Sequence, residues 1–127
     1  MQAKTTRREL LKAGTAGALA SLAQNGRASG AQDDARVVRV GLVGVGNRGT
    51  SLLRTLLTMT AVEIRALCDV NPAHLERAQN IVQEKTDKRP NGYSAGPEDF
   101  RRLVVRDDLD AVITATPWKW HTPVAVA

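Results

Sequence analysis

The 127-residue chain has a single cysteine, Cys68, so no intramolecular disulfide is open to it. Cys68 ends an apolar run, the place of a small buried apolar side chain rather than of a reactive thiol. Histidine is almost as scarce. Neither His74 nor His121 has a companion at metal-ligand spacing, so no metal site is expected. Long apolar runs are missing too, and the one mildly apolar stretch near the amino terminus is too short and weak to hold a stable membrane anchor. Besides the histidines there are four aromatic residues, and two of them, Trp118 and Trp120, fall within three positions of each other.

Acidic residues are few at the amino-terminal end, and this explains the formal net charge of +5. Residues 1–31 hold Lys4, Arg7, Arg8, Lys12 and Arg27 against Glu9 alone, which leaves the remainder near neutral. A nucleic-acid partner is therefore not expected of the folded part. The segment TTRRELLKAGTAGALASLA resembles a twin-arginine export signal, with Arg7 and Arg8 as the pair and Leu10, Leu11 and Lys12 completing the pattern. That resemblance implies the twin-arginine export machinery as a partner, export in the folded state, and a periplasmic or secreted destination. A disordered basic tail is the alternative. Cleavage points follow Ala20, Ala23 or Ala31, residues 32–35 complete a small polar linker, and a folded domain is expected over 36–127.

That domain is organised around VRVGLVGVGNRG, residues 38–49. Val38, Val40, Leu42 and Val43 have the composition of a buried strand, and Leu52, Leu53, Leu56 and Leu57 recur on one face of a following helix. Between them Gly44, Gly46 and Gly49 stand in G-x-G-x-x-G register. Strand, tight turn and helix in that order make a pyrophosphate cradle: Gly44 turns the chain, Gly46 lets backbone approach the phosphates, and Gly49 lets helix and strand pack closely. The free N–H groups of the helix start, at the positive end of its dipole, face the anion. Asn47 and Arg48 fill the variable positions, where they cap the helix and meet solvent or else touch the cofactor.

A second strand is expected over Val62–Leu67, with Asp69 at its end, roughly twenty residues past the last glycine, where a ribose-binding carboxylate belongs. The competing role for Asp69 is to cap the next helix. In that helix Asn71 is the N-cap, Pro72 the first residue, and Leu75, Ala78, Ile81 and Val82 the buried stripe, with His74 solvated in the first turn and the end near Asp87. Tyr93 begins a short third strand, Glu98–Val105 forms a short helix, and Asp110–Thr116 reads as a buried parallel strand. PWKWH is then a loop at that strand's carboxyl end, and Thr122 and Pro123 start a helix that the chain cuts short. Trp118 and Trp120 in such a loop stack on a ligand or pack on a further domain. The fold class is α/β, a Rossmann-type doubly wound parallel sheet in incomplete form.

VGLVGVGNRG, ALCDVNP, GYSAGPEDF and DAVITATPWKWHTPVAVA together resemble the amino-terminal domain of the Gfo/Idh/MocA oxidoreductases over about residues 36–127. The narrower P-W-x-W-H pattern, with the twin-arginine leader, looks like glycoside hydrolase family 109, the NAD-dependent α-N-acetylgalactosaminidases. The resemblance implies NAD as cofactor, a sugar or glycoside as substrate, and a homo-oligomer at full length. Asn47 and Arg48 would contact the cofactor, Asp69 would hold the adenosine ribose, and Trp118, Lys119, Trp120 and His121 would line the nicotinamide side. Lys119 stands where that family has glutamate. No catalytic acid or base is named within the chain, although His121 is a candidate to carry a proton. The implied reaction is redox-neutral: hydride leaves C3 of the sugar, the C2 proton is lost, the aglycone is eliminated, water adds and the hydride returns. A net NAD(P)-dependent sugar or polyol dehydrogenase and a non-catalytic cofactor-binding domain are the other readings.

Overall fold

The computed structural model describes residues 36–127, and both the twin-arginine segment and the linker lie outside the described residues. Four parallel strands alternate with helices: β1 (Val38–Val43), α1 (Asn47–Leu56), β2 (Val62–Cys68), α2 (Pro72–Thr86), β3 (Asn91–Tyr93), α3 (Phe100–Val104), β4 (Ala111–Thr114) and α4 (Trp118–Ala125). The sheet order is β3-β2-β1-β4, which is the order of one half of a doubly wound dinucleotide fold. The expected fold class stands. Among the described residues no helix is long and apolar enough to cross a membrane.

Each face of the sheet buries its own layer. Val40 and Leu42 of β1 with Ile64 and Leu67 of β2 pack under Leu53 of α1 and the Leu75–Ala78–Val82 stripe of α2. On the opposite face Val43, Ala66 and Cys68 meet Phe100 and Leu103 of α3 and Val124 of α4. Strict alternation would put Ile64 and Ala66 together, but the β1–β2 register slips by one residue at Arg65. The slip hands Ala66 to the α3–α4 side and Leu67 to the α1–α2 side. Leu42, Leu53 and Leu67 are fully buried, each contributing roughly 1.5–3 kcal/mol against an exposed side chain.

Local chemistry sets the ends. Asn71 caps α2, its Oδ1 accepting the Ala73 N–H at 3.0 Å, with Pro72 next as the first helical residue. Asp87 ends that helix in the left-handed region at φ 58°, a conformation that short polar side chains tolerate.

Three expectations need correction. Tyr93 ends β3 rather than beginning it, because Ala66, Leu67 and Cys68 pair with Asn91, Gly92 and Tyr93. β4 covers only Ala111–Thr114 and lies at the sheet's edge, so Ala111 and Val112 are exposed. PWKWH is not a loop: Trp118–His121 form the first turn of α4, which runs through Pro123. Trp120 and Val124, one turn apart, both pack on the α3 side of the sheet, and that shared burial outweighs the backbone bond Pro123 cannot donate.

Candidate dinucleotide site

A cavity of about 470 Å³ opens at the carboxyl ends of β1, β2 and β4, where open parallel sheets bind their ligands. Its floor is the glycine turn. Gly44 sits at φ +87°, and a Cβ there would meet the Ala115 backbone at 2.9 Å. A Cβ on Gly49 would overlap the Gly44 carbonyl, so helix α1 can lie against the strand end only with glycine at that position. Gly46 differs from both. Its backbone is extended, and the nearest atoms to a Cβ there belong to His74, at 3.8 and 3.9 Å. The protein's own packing does not require glycine at 46; a group approaching the backbone from the cleft would.

Gly46 is also the N-cap of α1, with no side-chain capping bond and no acidic residue in the first turn. Asn47 is therefore not the cap. Thr50 N–H donates to Gly46 O at 2.8 Å, and the residues ahead of it, Asn47, Arg48 and Gly49, have no acceptor one turn back in the helix. Both Asn47 and Arg48 are exposed beside this turn. The combination of free donors, the positive end of a helix dipole and an open glycine suits a pyrophosphate.

Asp69 closes the second wall. Its Oδ2 accepts the Val45 N–H and its Oδ1 the Asn71 N–H, each at 2.8 Å, and only 10% of its side-chain surface is exposed. The carboxylate thus ties the end of β2 to the glycine turn while it lines the cleft, and the cap of α2 is Asn71 rather than Asp69. Its oxygens keep lone pairs for a further donor.

The third wall comes from α3 and α4. Trp120 stands edge-on to Phe100 with ring centroids 6.2 Å apart, and both line the cleft with Lys119. Trp118 is 89% exposed and lies outside the cleft, tilted on the His121 ring at 5.5 Å. His121 Nε2 donates to Thr116 O at 2.7 Å, since a carbonyl oxygen can only accept. That bond ties the helix start to the end of β4 and is a structural role. Cys68, also on the cleft wall, is buried, and burial pushes its thiol up to about 12. Asp99, only 7% exposed, accepts the Ala95 N–H at 2.8 Å and so sets the loop that presents Pro97 and Phe100 to the cleft.

The cleft thus gathers Gly44, Gly46, Asp69, Lys119 and Trp120 from the sequence-predicted set, and leaves Asn47, Arg48 and Gly49 at its rim helix and Trp118 and His121 outside. Asn71 and His74 line it as well, which corrects the expectation that His74 is solvated. Their signal was available: the first turn of α2 starts at the carboxyl end of β2 and so faces the same crevice. Among the described residues no group of three or more His, Cys, Asp or Glu side chains is placed to hold a metal ion.

No family model matches the chain. It is 48% identical over 90 residues to a glycosyl hydrolase family 109 protein of Saccharopolyspora erythraea, and 44% identical over 91 residues to an α-N-acetylgalactosaminidase of Shewanella oneidensis. Each match covers 71% of this chain and 20% of the relative, so the chain spans about a fifth of the length of the curated relatives it matches. Among solved structures it is similar to myo-inositol dehydrogenase of Lactobacillus casei in complex with NAD(H) and myo-inositol, at a TM-score of 0.61 and 24% identity, covering 71% of this chain and 24% of that one. It is also similar to the WlbA dehydrogenase of Chromobacterium violaceum in complex with NADH and UDP-GlcNAcA, at a TM-score of 0.58 and 25% identity, covering 74% and 24%. Over part of their length the chain is thus similar to glycosyl hydrolase family 109 proteins, and it shares the fold of these NAD(H)-bound dehydrogenases.

Proposed function

We propose that this chain is the NAD-binding part of an enzyme acting on sugars, a redox-neutral glycosidase of the α-N-acetylgalactosaminidase type. The observation that carries the cofactor half is Gly46, a glycine that the protein's own packing leaves free and that a pyrophosphate against the backbone would require. Identity of 44–48% to glycosyl hydrolase family 109 and α-N-acetylgalactosaminidase sequences supports the glycosidase half. When bound, NAD accepts a hydride from the substrate and returns it.

The residues of this chain bind and orient. The start of α1 and Gly46 take the pyrophosphate, with Asn47 and Arg48 beside it, and Asp69 takes a ribose hydroxyl and disfavours a 2'-phosphate. Trp120 and Lys119 wall the far end of the cleft, where Phe100 and Val124 exclude water behind the indole. No catalytic acid or base is assigned to this chain, and His121 positions the helix start.

The test is to incubate the intact protein with NAD and p-nitrophenyl α-N-acetylgalactosaminide, following p-nitrophenol release and absorbance at 340 nm together. Aglycone release with no net NADH is the expected result. NADH accumulating with a free sugar or polyol would instead establish a net dehydrogenase, the reading that the fold likeness to inositol dehydrogenases favours. Neither signal would leave a non-catalytic cofactor-binding domain.

Export by the twin-arginine route belongs to the same proposal, supported by Arg7 and Arg8 ahead of the Ala/Gly/Leu stretch. Replacing both arginines with lysine should strand the precursor in the cytoplasm, and an unchanged periplasmic yield would overturn that destination.

A further inference from the structure

Asp69 accounts for one polar group at the ribose end of the cleft, but a second faces it. His74, the third residue of α2, sets its imidazole over Gly46 and lines the same cavity. Its Nδ1 lies 3.8 Å from Asp69 Oδ1. That separation is too long for a direct hydrogen bond, so the carboxylate does not hold the ring. It is short enough for one hydroxyl oxygen to reach both atoms. A hydroxyl suits the pair chemically, because it donates to a carboxylate and accepts from an imidazole N–H in the same geometry. A phosphate does not, since the Asp69 carboxylate would repel it.

We propose that His74 and Asp69 form a two-sided clamp for the 2'-hydroxyl of the adenosine ribose, so that His74 is a specificity-determining residue for a dinucleotide whose ribose is unphosphorylated. The inference rests on the NAD reading and adds His74 to the residues that read the ribose. Asp69 is the fixed side of the clamp, nine-tenths buried and anchored through the Val45 and Asn71 N–H groups. His74 is the adjustable side, with 40% of its side-chain surface exposed at the cleft edge. A purely structural histidine would stabilise the start of α2 and would not register which hydroxyls a ligand carries.

The experiment is calorimetric titration of the intact protein with NAD and with its analogue lacking the adenosine 2'-hydroxyl. His74→Phe keeps the ring area and removes the donor; His74→Asn returns an amide N–H near the position of Nδ1. NAD should bind His74→Phe about tenfold more weakly than the unaltered protein, the loss of one hydrogen-bond partner. The deoxy analogue should bind both proteins alike, and His74→Asn should recover most of the NAD affinity. Equal NAD affinity for His74→Phe and the unaltered protein, or equal losses for NAD and the analogue, would overturn the clamp alone. Failure of the unaltered protein to bind NAD would overturn the cofactor reading and the clamp with it.

Discussion

The Asp69 carboxylate accepts the Val45 backbone N–H at 2.8 Å, so the residue proposed to read the cofactor also holds the glycine turn. Asp69→Ala should therefore do two things at once. It strands the buried Val45 N–H group, which costs about 1–3 kcal/mol for an unmade bond and lowers the melting temperature. It also removes the charge that disfavours a 2'-phosphate, so the ratio of NAD to NADP affinity should fall toward one. Calorimetry with both cofactors, alongside thermal melting, separates the two effects. An Asp69→Ala protein with unchanged stability and unchanged preference would contradict both roles.

Cys68 gives a chemical probe of the same wall. Burial comes first among the causes that push its thiol up to about 12, with Asp99 and Asp69 adding to it. The nucleophile in thiol modification is the thiolate, so at pH 8 the folded protein should react with a thiol reagent at least about a hundredfold more slowly than the protein unfolded in urea, where the ordinary value is near 8.5. Because Cys68 lines the cleft, its rate in the folded state reports opening of that wall.

Acid stability follows from the ion pairs at the other end of the sheet. Asp110 accepts the Arg39 side-chain and backbone N–H groups, each at 2.9 Å, and these bonds, with Arg36 nearby, hold its carboxyl well below the usual carboxylate range. Asp108 beside Arg106, and Glu63 beside Lys88, are lowered in the same direction. A carboxyl lowered by folding stabilises the fold above its unfolded value, about 4, and loses that contribution as the pH drops through the folded value. Melting temperature should hold steady from pH 7 to about 5 and decline below about 4. Asp110→Asn should lower it slightly at pH 7, as suits an exposed pair, and make the acid decline shallower.

Trp120 and Trp118, two positions apart, should report differently on cofactor. Trp120 lines the cleft and Trp118 is exposed outside it. NAD should quench or shift the tryptophan emission of the intact protein, and Trp120→Phe should remove that change while Trp118→Phe leaves it. A signal that vanishes with Trp118 instead would put the cofactor on the other side of α4.

How far the sequence was legible depended on whether a feature is local. Asn71, Pro72 and the Leu75–Ala78–Val82 stripe carry their helix within a few residues, and the glycine register with Asp69 at a fixed distance carries the strand-turn-helix unit. By its local rule Pro123 marks a helix start, but the decisive contact is Trp120 and Val124 packing against Phe100 and the sheet across the chain. The slip at Arg65 and the pairing of Asn91–Tyr93 with β2 are likewise properties of register, which no single segment encodes. His74 reads as a solvated side chain because its meaning lies in Asp69 and Gly46, which the fold brings to it.

The most direct measurement of the central claim compares two alanine substitutions in one turn, with calorimetric titration of NAD and thermal melting on the intact protein. At Gly49 a Cβ collides with the Gly44 carbonyl, so Gly49→Ala should destabilise the domain by about 3 kcal/mol or more. At Gly46 nothing in the protein lies closer to a Cβ than His74 at 3.8 Å, so Gly46→Ala should cost no more than alanine costs at an N-cap, about 1 kcal/mol, well short of Gly49→Ala. If the cleft is a pyrophosphate cradle, that same Gly46→Ala protein should bind NAD at least about tenfold more weakly, because the methyl occupies the space the phosphates need. A Gly46→Ala protein that is as stable as the original and binds NAD as tightly would contradict the account.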